Sequence, residues 1–135
     1  MQFKECYQNP FIEERADPYI TLGPDGFYYF TASYPMKSAD DKDGYDRVIL
    51  RRAKDISELA SAEEITIWKV ADTTLTHRFI WAPELHYIAG RWYVFYAGSE
   101  DKENNWAFDC HVLVCDSDDP YTGTWSEKGK FQKRE

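Results

Sequence analysis

Two stretches of this chain repeat one another, and such self-similarity constrains the fold more than any composition figure. The first, ADPYITLGPDGFYYFTAS, runs from Ala16 to Ser33; the second, APELHYIAGRWYVFYAGS, runs from Ala82 to Ser99. Each opens on a strand-like run entered through an acid next to a proline. Each then turns, at Asp25-Gly26 and at Ala89-Gly90, into an aromatic strand. The match continues downstream. DRVILRRAKD (Asp46 to Asp55) lines up with CHVLVCDSDD (Cys110 to Asp119), and a last strand closes each unit, Glu64 to Trp68 in one and Trp125 to Phe131 in the other.

Each unit is therefore four short strands with turn signals between them, and the chain is all-β. Ile56 to Glu63 has room for one or two helical turns. Four antiparallel strands in a repeating unit describe a β-propeller blade, the first spanning about 14–70 and the second about 78–133, within one domain of 1–135. A β-sandwich is the alternative, but it does not require matching halves. Propellers usually hold about four to eight blades. Two leave inner strands facing no partner and sheet edges unpaired. The expectation is a fragment, a split product, or a chain that completes its ring with another chain.

Composition excludes several classes. Hydrophobic residues make up 43% and charged residues 30% of the 135, so the chain is neither disordered nor a bundle of membrane spans. The net charge of −8 argues against nucleic acid, whose phosphates need clustered Lys and Arg. The basic runs, Arg47 to Lys54 and Lys128 to Arg134, are interleaved with acids and read as solvated faces. Cys110 and Cys115 would stand roughly 16 Å apart on one strand, beyond disulfide reach. With an odd count and no CxxC spacing, neither a disulfide framework nor structural zinc is expected. Met1 to Pro10 holds no apolar leader core, which gives a cytoplasmic location, or a secreted one if a leader was removed. The polar loop from Tyr34 to Tyr45 lacks the acid spacing of an EF-hand and reads as a surface connection.

Ligands of a propeller bind at one mouth of its central channel, lined by the innermost strand of each blade. Asp17 opens the innermost strand of the first unit, and Glu84 stands near the matching place in the second. Two carboxylates at one mouth are what glycoside hydrolysis uses; an inverting enzyme keeps its pair roughly 6.5–9.5 Å apart to hold a water. The plainer reading has Asp17 capping a turn or pairing with Arg15, and Glu84 as a solvated strand-end acid.

The string RADPYI (Arg15 to Ile20) followed by DGFYYFTAS resembles the first blade of family 43 glycoside hydrolases. HRFIWAPELHYIAGRWYVFYAGS (His77 to Ser99) resembles their second blade, and YDRVILRRAKDISEL (Tyr45 to Leu59) is similar to their α-L-arabinofuranosidase-like branch. The resemblance implies a five-bladed propeller of which this chain carries two blades. It implies that Asp17 is the general base, deprotonating a water that attacks the anomeric carbon with inversion. It places Trp81 and Glu84 at the rim of the sugar pocket, as stacking platform and polar contact, with His77 and Phe79 as further sugar contacts. His86 reads as a core residue.

In that family a pKa-tuning Asp lies on the third blade and the general-acid Glu on the fourth, and neither has a counterpart here. No cofactor is implied, although some members hold a calcium ion in the complete ring with a ligand from a late blade. The expected partners are a carbohydrate containing arabinose or xylose and whatever supplies the remaining blades. Loss of a general acid typically removes roughly 10²–10⁴ in rate, so these 135 residues alone are expected to be nearly inactive. The rival readings are a non-catalytic sugar-binding module and an inactive truncated product.

Overall fold

The computed structural model describes residues 6–38, 44–101 and 106–131. The centre of the polar loop and the last few residues of the second unit, with Lys133 and Arg134, lie outside the described residues.

Eight strands form among the described residues: β1 (Ala16–Leu22), β2 (Tyr28–Ser33), β3 (Arg47–Ala53), β4 (Ile65–Lys69), β5 (Arg78–Ile88), β6 (Arg91–Ser99), β7 (Phe108–Cys115) and β8 (Trp125–Lys130). The first four make one antiparallel sheet and the last four another, each in chain order. Among the described residues no strand crosses from one sheet to the other, and the two sheets repeat one meander, a match that a sandwich does not require. These are two propeller blades, as the repeat predicts. The helical potential of Ile56 to Glu63 is realised as one 3₁₀ turn, Ile56–Glu58, capped by the Asp55 carboxylate accepting the Ser57 N–H at 2.8 Å.

The two inner hairpins turn differently. Ala89 and Gly90 have φ of 50° and 81°, the paired positive values that a two-residue type I′ turn requires. The loop after β1 is longer. There Gly23 N–H donates to the Phe27 carbonyl at 2.8 Å, and Asp25 Oδ1 accepts the Phe27 N–H at 3.1 Å.

Strand periodicity decides what each face covers. Tyr29, Val48, Leu50 and Trp68 on the first blade meet Ile80, Leu85, Trp92, Val94, Tyr96 and Leu113 on the second. Each large apolar side chain so buried contributes about 1.5–3 kcal/mol. The other face of the first sheet carries Phe30, Ala32 and Ile49, covered by Phe11 and Ile12 of the leading segment. Contact between the blades is densest where β5 meets β1 and β2, and thins to a few touches between β4 and β8. The sheets therefore fan out from their inner strands, and β1 and β5 lie side by side at the narrow edge. Arg52 of β3 bridges the blades farther out, its Nη1 2.9 Å from Asp119 Oδ1.

Candidate functional site

The head of β1 is irregular, and the irregularity presents Asp17. Pairing with β2 slips between Ala16 and Tyr19, a bulge that contains Asp17 and Pro18. Asp17 has φ 51°, a left-handed conformation that an L-residue adopts at a cost and that Asp tolerates better than most. Its side chain is exposed. Opposite Ala16 stands Ser33, which is fully buried. The Ser33 hydroxyl donates to Asp17 Oδ2 at 3.0 Å and accepts the Ala82 N–H at 2.8 Å. The carboxylate of the first blade is thus tied through one hydroxyl to the backbone of the second.

Arg15 does not pair with Asp17, as the plainer reading had it. Its Nε and Nη2 both bond Glu64, whose other oxygen contacts include Arg51 Nε at 3.1 Å. Burial would raise the Glu64 carboxyl, but bonds from the two guanidiniums outweigh it and hold the group below its ordinary value.

The place of Glu84 differs from expectation. With the second strands aligned on Ser33 and Ser99, the residue opposite Ser99 is Arg78, and Phe79 follows with φ 58°. Phe79, not Glu84, is therefore the register counterpart of Asp17. β5 slips a second time, between Trp81 and Glu84, where Ala82 has φ 46°. Beyond this extra bulge Glu84 stands opposite Phe95, a place level with Thr21 of β1 and not with Asp17. The fold's pseudo-symmetry does not itself deliver two carboxylates to one point. Glu84 Oε2 lies 3.0 Å from His86 Nε2. His86 is half-buried rather than a core residue, with its ring 5.4 Å from Tyr19 of the neighbouring blade and edge-on to Phe95 at 5.6 Å.

Trp81 sits in an aromatic nest. Phe108 stacks on it at 4.4 Å and 25°, while Phe79 at 5.5 Å and Tyr45 at 5.8 Å meet it edge-on. One face of the indole is thereby occupied, and its N–H is buried with no hydrogen-bond partner among the described residues. Phe79 is 8% exposed, so it serves to prop Trp81 and offers a sugar little surface. His77 is half-buried, and its backbone N–H donates to the Ser99 carbonyl at 2.9 Å. A further backbone bond, Ile80 N–H to the Tyr45 carbonyl at 2.9 Å, joins β5 to the first blade beside the Ser33 link.

Sequence reasoning missed Ser33, Tyr45 and Phe108. Ser33 carried a usable signal, since FTAS and YAGS end their strands on the same residue. Tyr45 and Phe108 carried none, because each reaches Trp81 from another strand or loop. Among the described residues there is no group of three or more His, Cys, Asp or Glu that could hold a metal ion. Likewise no helix among them is long and apolar enough to cross a membrane.

Comparison with known proteins matches residues 7–135 to the model of "Glycosyl hydrolases family 43". An "Extracellular exo-alpha-(1->5)-L-arabinofuranosidase" of Streptomyces chartreusis is 43% identical over 126 residues, covering 93% of this chain and 36% of its own length. The protein of the same description from Streptomyces avermitilis is also 43% identical, over 93% of this chain and 24% of its own length. The crystal structure of an α-L-arabinofuranosidase from Lactobacillus brevis superposes with a TM-score of 0.78 at 40% identity, covering 93% of this chain and 39% of that one. The chain thus spans about a quarter to about a third of the curated relatives it matches.

Proposed function

The chain belongs to glycosyl hydrolase family 43, and on that premise we propose that it supplies the general-base side of an inverting glycosidase acting on arabinose- or xylose-containing polysaccharides or oligosaccharides. The observation that carries the reading is Asp17: an exposed carboxylate at the head of an inner strand, with one oxygen fixed by a buried hydroxyl at the seam between two blades. The bond to Ser33 engages Oδ2 and leaves Oδ1 to take a proton from water. That water then attacks the anomeric carbon from the face opposite the leaving group. The leaving oxygen takes its proton from a general acid that has no assigned residue in this chain. Trp81 and Glu84, on the adjacent strand, are proposed to shape the rim of the sugar site. Trp81 can offer only the face that Phe108 leaves open.

The relatives described as arabinofuranosidases support arabinose over other sugars, and the word extracellular in two of their descriptions favours the secreted alternative over the cytoplasmic one. The proposal requires further blades to complete the ring, and the relatives' greater length supports that requirement.

The test is Asp17→Asn in a chimaera that continues these 135 residues with the remaining length of the Streptomyces chartreusis relative, assayed on a nitrophenyl arabinofuranoside. Turnover should fall roughly 10²–10⁴-fold while sugar binding persists. Unchanged turnover would remove Asp17 from the chemistry.

A further inference from the structure

We propose that Ser33 is a positioning residue for the base, relaying the backbone of the second blade to the carboxylate of the first. The proposal rests on the reading of Asp17 as the base. Three observations carry it. Ser33 is fully buried, so its hydroxyl has no water to turn to. Its single proton goes to Asp17 Oδ2 at 3.0 Å, and its oxygen accepts the Ala82 N–H at 2.8 Å. Both groups it joins lie in bulges with left-handed backbone, Asp17 at φ 51° and Ala82 at φ 46°. Neither bulge has a regular ladder bond to hold it in place.

A hydroxyl that accepts one hydrogen bond is a better donor in the next, so the chain from N–H through O–H to carboxylate is mutually reinforcing. It fixes the rotation of the carboxylate and decides which oxygen is left for water. It also ties the base to the strand that carries Trp81 and Glu84. A shift of β5 on sugar binding would therefore reach Asp17 directly. The charge on the carboxylate makes this link stronger than a neutral pair.

Ser33→Ala removes the relay, and Ser33→Cys keeps the shape with a weak donor, so a packing defect and a lost relay can be told apart. The first measurement is the Ala82 amide proton of the 135-residue chain by NMR. Asp17→Asn should move this resonance, and the same substitution in the Ser33→Ala background should not. A displacement of equal size with and without Ser33 overturns the proposal. The second measurement is kinetic, in the chimaera. Both Ser33 variants should lower kcat about 10-fold and leave KM within about 2-fold, the mark of a lost transition-state contact and not of lost binding. Wild-type kcat in both overturns the relay and leaves the base assignment intact. Unchanged turnover in Asp17→Asn instead overturns the base assignment, and the amide measurement then judges the relay by itself.

Discussion

The two blades share a core, and the contact between Tyr29 and Trp92 measures how firmly. Tyr29 is fully buried on the first blade and Trp92 is 1% exposed on the second; their rings meet edge-to-face at 5.2 Å and 62°. Each is also anchored within its own blade. The Trp92 indole N–H donates to the Asp118 carbonyl at 2.9 Å, and the Tyr29 hydroxyl donates to Asp25. Burial and the bond to Asp25 push the Tyr29 phenol above its ordinary range, so it remains a donor well into alkaline conditions.

Consider Tyr29→Leu, Trp92→Leu and the double variant. Trp92→Leu loses packing volume and one hydrogen bond, about 2–4 kcal/mol in all. Tyr29→Leu loses about 2–3 kcal/mol by the same reasoning. Edge-to-face pairing adds about 0.5–1.5 kcal/mol beyond area burial, and the double-mutant cycle isolates that part. Urea unfolding followed by tryptophan fluorescence supplies the four stabilities. A coupling below about 0.3 kcal/mol, inside the scatter of independent sites, would refute the claim that the blades are held together there. So would two separate transitions of which Trp92→Leu moves only one.

His111 is buried, stacked on Tyr96 at 5.4 Å and 18°, with its Nε2 unpartnered among the described residues. Burial holds its pKa below the ordinary 6.5. The unfolded chain therefore takes up a proton first as pH falls, and stability present above about pH 6.5 is lost as pH drops towards the lower folded value. Urea midpoints compared at about pH 7.5 and about pH 6 should show this loss, and His111→Gln should shrink it; an equal pH dependence in the variant would count against the cause given. Gly98→Ala should cost about 1–3 kcal/mol, because a Cβ there would stand 2.7 Å from Thr76 Cγ2 and 2.9 Å from the Tyr96 ring. A thermal melt unchanged from the parent would show that Thr76 yields.

The blade architecture was legible because it is written in period-2 alternation and repeated once. YYFTAS and WYVFYAGS each read as a strand by themselves, and their likeness fixes them as sister elements. The site was legible only in part. Asp17 was visible as an acid at a strand head, next to a proline that forbids a regular ladder. The false symmetry partner Glu84 came from aligning ADP with APE by composition. A strand's register depends on its bulges and on the length of its turn; the first hairpin loop spans 23–27 and the second only 89–90, and β5 has one bulge more than β1. No local propensity reports that. The aromatic nest was half legible: WAP announced Trp81, while Phe108 and Tyr45 reach it from other elements.

The position of the base at a seam has a mechanical consequence. A residue held at φ 51° in a bulge would be free to relax if its only supports lay within its own strand. Here the support comes from outside, through Ser33, and its far end is an N–H that the second bulge of β5 turns towards the first blade. The second irregularity of β5, between Trp81 and Glu84, leaves the Ala82 N–H to make that bond. The support of the base therefore comes from a bulge that has no counterpart in β1. A blade with a regular β5 would hold Asp17 less well.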